Sequence, residues 1–384
     1  MRLYKRLARL SAGVAMGLGL VGAGTAAAQD VVKLGYTGPL SGPAALFGRN
    51  SVTGLEMAVN ELNEKGGVEI AGKKYKIELV VLDDKYSPAE AGINGKRLVQ
   101  EHQTPVVFAG HTGGTFALQA FNEQSNFLVM SYTSVPHVLE RGNKLTVRMP
   151  PSFLGYVEPF VKSAMANYGK KVGLIPGNHD YAKIWTKAFA PAWTAAGGEV
   201  VIDNPMDYNK DTDFYSSVTK VLAAKPDVLF VGGASEPTAL VVKQARELGF
   251  KGGFVIMDQA KMDEMAKVTD GLKALEGAHG VMPLIGDEAP SAKRFVEKFR
   301  ELYKKDPTHE SSLHYAGLHM AVEAMKQAGT VTDGAAIRAN FGKALKTLPA
   351  EYNPHAVTDI DDKGGLVGPT PAAMIKNAKY VSLQ

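Results

Sequence analysis

The sequence predicts an α/β protein with two lobes, each built on a doubly wound parallel sheet. Two observations predict this fold. Short β-branched runs alternate with amphipathic stretches of helical length, and the alternation starts again after Pro150-Pro151. Strands that alternate with such helices form βαβ units in a parallel sheet. The length of 384 residues also suits two domains of ordinary size.

The elements follow one another in two series. In the first series we predict strands at 31–36, 75–83, 105–109 and 127–131 and helices at 44–65, 88–102 and 115–124. In the second we predict strands at 171–175, 199–202, 227–231 and 254–257 and helices at 182–196, 213–224, 236–248 and 262–268. The segment 289–346 is mostly helical and has no comparable strands, so we expect it to pack on one of the two lobes.

The first 28 residues have the pattern of a secretory signal peptide. Four basic residues between Arg2 and Arg9 precede an apolar run of 14 residues, 11–24, and the small residues 25–28 follow it. The alternative is a membrane anchor, but a spanning helix needs about 20 apolar residues. We therefore expect export, with cleavage after Ala28.

The charge and the cysteine count exclude several function classes. The four basic residues of the signal account for the whole formal charge of +4, so the rest of the chain is neutral and gives no reason to expect nucleic acid as a partner. The chain has no cysteine. Disulfides, a thiol nucleophile, iron–sulfur clusters and cysteine-built zinc sites are therefore excluded.

Motifs typical of enzymes and metal sites are weak in this sequence. The G-x-G-x-x-G of residues 17–22 lies inside the signal, and the S-x-x-K of residues 217–220 lies within a surface helix without its partner motifs. His309, His314 and His319 recur every five residues, which turns successive side chains to different sides of a helix. We interpret them as ordinary histidines and predict no catalytic residue, metal or cofactor.

Three loops at the ends of first-lobe strands remain as candidates for ligand binding. These are residues 37–42, 110–115 and 133–134, which are rich in Gly, Ser and Thr. Doubly wound sheets bind ligands at the carboxyl ends of their strands, and helix N-termini there suit a carboxylate or phosphate. The alternative is that these residues serve only turns and helix caps.

The mature N-terminus resembles that of the leucine/isoleucine/valine-binding proteins of ABC transporters. Residues 31–67 (VVKLGYTGPLSGPAALFGRNSVTGLEMAVNELNEKGG) contain the family's P-L-S-G, its aromatic-Gly pair and its G-x-x-x-A helix ending in N-x-x-G-G. Further matches are residues 82–84 with Pro88, 213–227, 244–249 and 315–317. The similarity extends over nearly the whole mature chain.

This resemblance implies a type I periplasmic-binding fold, in which two lobes joined by a three-stranded hinge hold the ligand in the cleft between them. It places the crossovers near Pro150, Met282 and Asp359. The expected domains are residues 29–149 plus 283–358 for the first lobe and 150–282 plus 359–384 for the second. Closure of such a hinge requires only a few crossover residues to change their dihedral angles.

The resemblance also implies a set of ligand-binding residues. In the first lobe, Thr112 with Gly113 and Gly114 corresponds to the position that binds the ligand's α-carboxylate. The next loop supplies further contacts, and an aromatic residue of the first loop covers the ligand. In the second lobe, Asp258 corresponds to the acid that pairs with the α-ammonium. The other members of the predicted site are Phe47, Thr133, Ser134, Val135, Tyr181, Ala234 and Ser235.

Three positions depart from the family pattern. Gly113-Gly114 replaces Ser-Ser, Val135 replaces Thr, and Ala234 stands where a second cleft aromatic is expected, next to Ser235. The loss of that ring enlarges the expected pocket and leaves the ligand open between an amino acid, an aromatic acid, an amide and a urea-like solute.

The resemblance therefore implies a monomeric periplasmic solute-binding protein that delivers a small ligand to the permease subunits of an ABC importer. A ligand-sensing module and an exported enzyme are the alternatives. The acid at position 258 favours an amino acid, because a carboxylate is the natural partner of an ammonium group in a desolvated cleft.

Overall fold

The computed structural model describes residues 30–269 and 271–383. The predicted signal peptide lies outside these residues. Within them, no helix is long and apolar enough to cross a membrane.

The described chain alternates strands and helices as predicted. The strands are β1 Asp30–Gly38, β2 Val68–Ile70, β3 Lys73–Asp83, β4 Val106–Ala109, β5 Leu128–Ser131, β6 Thr146–Arg148, β7 Lys171–Pro176, β8 Glu199–Asp203, β9 Val228–Gly232, β10 Gly253–Ile256, β11 Ala278–Val281, β12 Asp359–Ile360, β13 Leu366–Val367, β14 Ala372–Lys376 and β15 Lys379–Ser382. The helices are α1 Ala45–Glu64, α2 Pro88–Gln100, α3 Thr112–Gln119, α4 His137–Glu140, α5 Leu154–Asn167, α6 Asp180–Ala195, α7 Tyr215–Leu222, α8 Ser235–Glu247, α9 Met262–Val268, α10 Pro290–Tyr303, α11 His309–Ala328, α12 Gly334–Ala339 and α13 Phe341–Thr347.

The first lobe is built on a six-stranded sheet in the order β2-β3-β1-β4-β5-β6, in which only β2 is antiparallel to its neighbour. Helices α1 and α11 pack together on one face, and α2 and α3 cover the other. The close approach of α1 to α11 depends on Gly54, since a Cβ there would lie 1.9 Å from the carbonyl oxygen of Ser311. As predicted, the helical segment after residue 289 packs on an existing lobe.

The second lobe is built on a seven-stranded sheet in the order β15-β14-β11-β10-β9-β7-β8. The five strands β7 to β11 are parallel to one another. Strands β14 and β15 extend the sheet beyond β11 as an antiparallel edge. Separate apolar cores lie on its two faces, one beneath α7 and α8 and one beneath α5 and α6. Both lobes are therefore doubly wound, and the fold class predicted from the alternation is confirmed.

The chain passes between the sheets three times. It leaves the first sheet after β6, returns after β11 and enters the second sheet again at β14. The predicted last crossover at Asp359 is displaced, because Ile360 and Leu366 still pack on the core of the first lobe and Gly365 forms a bridge with Arg148. The division of the chain into two domains at the predicted boundaries stays a prediction.

Several elements were missing from the sequence prediction. Strands β2, β6, β11, β14 and β15 and helix α5 were not predicted, and α3 begins at Thr112 rather than at residue 115. The earlier start of α3 matters for function, because it places Thr112 in the first turn of a helix.

Candidate functional site

The candidate site is a cleft at the carboxyl ends of both sheets, where the two lobes face each other. It encloses about 490 Å³ of space free of protein atoms, part of it open to solvent. Six of the residues predicted from sequence line it: Phe47, Thr112, Thr133, Ser134, Tyr181 and Asp258.

The first lobe presents the N-terminus of α3 to this cleft. His111 caps the helix, with its Nδ1 accepting the N–H of Gly114 at 3.0 Å and its Nε2 lying 3.2 Å from Asp84 Oδ2. The hydroxyl groups of Thr112 and Thr133 are hydrogen-bonded to each other at 2.6 Å. Because the first N–H groups of a helix have no partner within it, this end offers amide and hydroxyl donors to an anion.

The second lobe presents the carboxylate of Asp258, which follows β10. Its Oδ1 accepts hydrogen bonds from the Tyr181 hydroxyl at 2.7 Å, the Trp185 indole N–H at 2.7 Å and the Ser134 hydroxyl at 2.9 Å. Among the described residues, none donates a hydrogen bond to Oδ2. The side chain is thus fixed through one oxygen, and the other is available to a cationic group in the cleft.

Five of the predicted site residues lie outside the cleft wall. Gly113 lines a neighbouring cavity with His179 and Asp180, and Gly114 is buried against His111. The other three are buried behind the wall: Val135 and Ala234 pack in apolar cores, and the Ser235 hydroxyl accepts the backbone N–H of Lys261.

The cleft has more aromatic rings than the sequence indicated. Tyr86, Tyr132, Tyr156 and His309 line it in addition to the predicted Phe47 and Tyr181. The Phe47 and Tyr132 rings lie 5.5 Å apart, and Tyr86 stacks on His111 at 4.5 Å. The aromatic wall of the cleft is therefore supplied by elements other than the loop of Ala234.

Most of the cleft residues that the sequence did not predict lie just after a strand, and this position is a signal that could have revealed them. Tyr132 directly follows β5, Tyr86 follows β3, and Lys261 follows β10 within a few residues. Each therefore lies beyond the carboxyl end of a parallel strand, where doubly wound sheets bind ligands. His309 had a weaker signal, since it belongs to the histidine series interpreted as ordinary.

Comparison with known proteins identifies the family. Residues 31–379 match the family model described as "Periplasmic binding protein". The chain belongs to the periplasmic binding protein family.

Curated relatives and solved structures agree with this membership. The periplasmic binding protein described here is 28% identical over 290 residues to an "Amino acid binding protein" of Pseudomonas aeruginosa, covering 73% of this chain and 74% of that one. It is 24% identical to the "Leucine-, isoleucine-, valine-, threonine-, and alanine-binding protein" of the same organism, covering 94% and 93%. The solved substrate-binding protein LivJ of Streptococcus pneumoniae, in complex with isoleucine, is 25% identical with a TM-score of 0.77, covering 92% and 100%.

In this periplasmic binding protein one short segment makes several polar side-chain contacts between the lobes. From the second lobe, residues 258–264 reach Ser134, Tyr86, Asn50 and Glu310 of the first. The Gln259 amide donates to the Tyr86 hydroxyl at 2.8 Å, and the Asn50 amide donates to Glu264 Oε1 at 2.6 Å. The same segment carries Asp258, so the contacts that hold the lobes together adjoin the cleft.

Burial and neighbouring carboxylates raise the pKa values of two acidic side chains in this segment. Burial, with the nearby carboxylates of Glu310 and Asp263, raises the pKa of Glu264 to about 8. Burial and Glu310 likewise raise the pKa of Asp263 to about 6. Lys261 lies 3.8 Å from Glu310 Oε1 and donates to the backbone carbonyls of Asp258 and Gln259, so these contacts hold its ammonium group in place.

The three histidines of the late helix are all buried, and two of them, His314 and His319, lie in the core of the first lobe. His309 is the exception because it lines the cleft. Within residues 30–269 and 271–383, no group of three or more His, Cys, Asp or Glu side chains is arranged to hold a metal ion.

Proposed function

We propose that this protein is the substrate-binding component of an ABC importer and that it binds an amino acid in the cleft. The observation that carries the proposal is the carboxylate of Asp258, which is held through one oxygen and leaves the other to the cleft. A buried carboxylate of this kind is the natural partner of an ammonium group. The two curated relatives named above bind amino acids according to their names, which supports the same ligand class here.

The two ends of the cleft match the two charges of an α-amino acid. The ligand carboxylate binds at the N-terminus of α3, where Thr112 and Thr133 add hydroxyl groups. The ligand ammonium binds Asp258. Phe47 and Tyr181 pack on the ligand between these ends, and Ser134 connects the two lobes by its bond to Asp258.

Binding proceeds by closure of the hinge. The ligand first binds one lobe, the lobes then close, and the segment 258–264 forms its contacts with the first lobe. The closed protein delivers the ligand to the permease subunits. In this proposal the chain works as a monomer in the periplasm after removal of residues 1–28.

An aromatic acid is the second candidate ligand, because seven aromatic or imidazole rings line the cleft. Such a ligand would bind its carboxylate at α3 in the same way but would leave Asp258 without a cationic partner. Amides and urea-like solutes lack the carboxylate that the α3 terminus favours. A sensory role for the same module would leave the binding chemistry unchanged.

A thermal-shift screen of the mature protein with amino acids, aromatic acids and amides tests the ligand class. A ligand present at 100 times its dissociation constant adds about 2.7 kcal/mol to the free energy of unfolding, which is readily measured. Calorimetric titration of each hit should give one bound ligand per chain without turnover. Stabilisation by aromatic acids or amides and by no amino acid would contradict the proposal, and consumption of the ligand would indicate an enzyme.

A further inference from the structure

A second cavity adjoins the cleft on the hinge side. It has about 1030 Å³ of space free of protein atoms, part of it open to solvent, and residues from all three crossings line it. Met149, Met282 and Pro369 represent the three crossings. The cleft and this hinge-side cavity share four wall residues: Pro151, Tyr156, His309 and Leu313. Residues that line both spaces form the partition between them.

The partition carries two polar groups without protein partners. Among the described residues, none forms a hydrogen bond with the Tyr156 hydroxyl or with a ring nitrogen of His309, although the two residues are only 3% and 7% exposed. The other three tyrosines of the cleft differ. The hydroxyl groups of Tyr86, Tyr132 and Tyr181 are engaged with Gln259, Glu310 and Asp258 respectively.

Both partition groups keep their hydrogen-bonding capacity at neutral pH. Burial and the charge of Asp258 raise the pKa of Tyr156, so its phenol remains protonated and can donate. Burial and the neighbouring His355 and Lys261 lower the pKa of His309. A neutral imidazole offers one N–H donor and one acceptor nitrogen.

The ends of the proposed ligand are already assigned, since its carboxylate binds at α3 and its ammonium at Asp258. Its side chain is therefore the part that reaches the partition. An apolar side chain would cover these two groups without pairing with them, and a site with such groups rejects an analogue that cannot pair with them. The expected penalty is about tenfold in affinity, or more, for each group.

We propose that Tyr156 and His309 determine specificity and select an amino acid whose side chain ends in a hydrogen-bonding group. This inference rests on the proposed function and narrows it. The side chains of leucine and asparagine have nearly the same shape and differ in polarity, as do those of phenylalanine and tyrosine. Within at least one of these pairs, the protein should bind the polar member at least tenfold more tightly.

Calorimetric titration of the full mature protein and of the Tyr156→Phe variant with these four amino acids tests the proposal. The variant keeps the ring that stacks on Phe160 at 5.6 Å, so folding should be retained. It should reduce the preference for the polar member by about tenfold. Tyr168→Phe is the matched control, because it removes a hydroxyl from the same lobe outside the cleft, and it should keep the preference unchanged. His309→Leu provides a second variant with the same expected direction.

Two results would overturn the inference. One is a protein that binds leucine and phenylalanine more tightly than their polar counterparts. The other is a preference that Tyr156→Phe and His309→Leu both leave unchanged, which would mean that water in the hinge-side cavity pairs with the two groups. Failure to bind any amino acid in the wider thermal-shift screen would instead contradict the proposed function, and the inference with it.

Discussion

Asp258 and Glu264 are buried carboxylates in one short segment, yet their surroundings differ. Asp258 has three donors on a single oxygen, from Tyr181, Trp185 and Ser134. Glu264 accepts one side-chain hydrogen bond across the cleft, from Asn50, and burial together with two other acids raises its pKa. Burial among other acids stabilises the protonated form of Glu264, whereas the three donors fix the position of the Asp258 carboxylate.

Asp258 and Glu264 also differ in which lobe supplies their neighbours. Tyr181 and Trp185 belong to the same lobe as Asp258, so most of that network exists before the lobes meet. Asn50 and Glu310 belong to the other lobe, so the surroundings of Glu264 depend on closure. The comparison indicates that the charge for the ligand is prepared in advance, while the acidic cluster is completed when closure brings Glu310 to Asp263 and Glu264. Four predictions test this difference.

The largest effect is expected from Asp258→Asn. The amide oxygen of Asn can still accept from Tyr181, Trp185 and Ser134, so the variant removes the charge and leaves the network. Loss of one partner of a buried charge pair costs about 2–5 kcal/mol, or roughly 30- to several-thousand-fold in affinity. Calorimetric titration with an amino-acid ligand measures it.

The same variant separates the two ligand candidates. An aromatic acid has no ammonium group, so Asp258→Asn should leave its affinity unchanged or increase it. Amino-acid affinity that is insensitive to this variant, with the fold intact by circular dichroism, would show that Asp258 is not the ammonium partner.

A smaller effect is expected from Thr112→Val. This change removes one hydroxyl donor from the ligand carboxylate while the backbone donors of α3 remain. A hydrogen bond to a charged group contributes about 1.5–3 kcal/mol, so affinity should fall by roughly 10- to 150-fold. Both ligand candidates have a carboxylate and should lose affinity alike. An effect as large as that of Asp258→Asn would argue against binding of the ligand carboxylate at α3 and of its ammonium group at Asp258.

The sequence predicts the two sheets and most of the surroundings of Asp258. The alternation of elements indicates the two sheets, and the resemblance places Asp258, Tyr181 and Ser134 together. Trp185 was not predicted as a donor, because within an amphipathic helix it has the spacing of an ordinary core residue. Its indole contact with Asp258 depends on where α6 lies relative to the residues that follow β10, which periodicity does not encode.

The acidic cluster could not be predicted for a different reason. Glu264 and Glu310 lie in separate lobes, far apart in sequence, and each follows an ordinary amphipathic pattern. Short strands were missed for a related reason. Strand β6 has three residues and β11 has four, too few to show a period of two.

The pH dependence of binding should reveal the cluster around Glu264. In the open protein we take its pKa as near the ordinary value of about 4.3, and in the closed protein it is about 8. The closed form therefore holds one more proton between these values, and closure weakens as pH rises through the window, by at most about tenfold per pH unit. Titration between pH 7 and 8.5 should show affinity falling, with a levelling above pH 8.

The chosen window isolates Glu264 from its neighbours. Asp263, with its pKa near 6, is already ionised above pH 7, and burial lowers the pKa of His309 and of His355, so both are neutral. The charges of Lys267 on the same helix and of Lys261 act on this cluster in the opposite direction to the acids. Glu264→Gln should abolish the slope and retain the bond from Asn50. A slope that persists in this variant would assign the proton to another group.

The smallest effect is expected from Asn50→Ala. Its amide donates to Glu264 at 2.6 Å, from α1 of one lobe to α9 of the other. Because this bond forms only when the lobes meet, its loss should weaken ligand binding by about 0.5–1.5 kcal/mol, roughly 2- to 13-fold. The melting temperature of the ligand-free protein should not change. Arg49→Ala, at the exposed neighbouring position on α1, is the control and should alter neither quantity. A lower melting temperature without ligand would show that the bond stabilises the open protein too, and the distinction between a prepared and a closure-dependent carboxylate would then be lost.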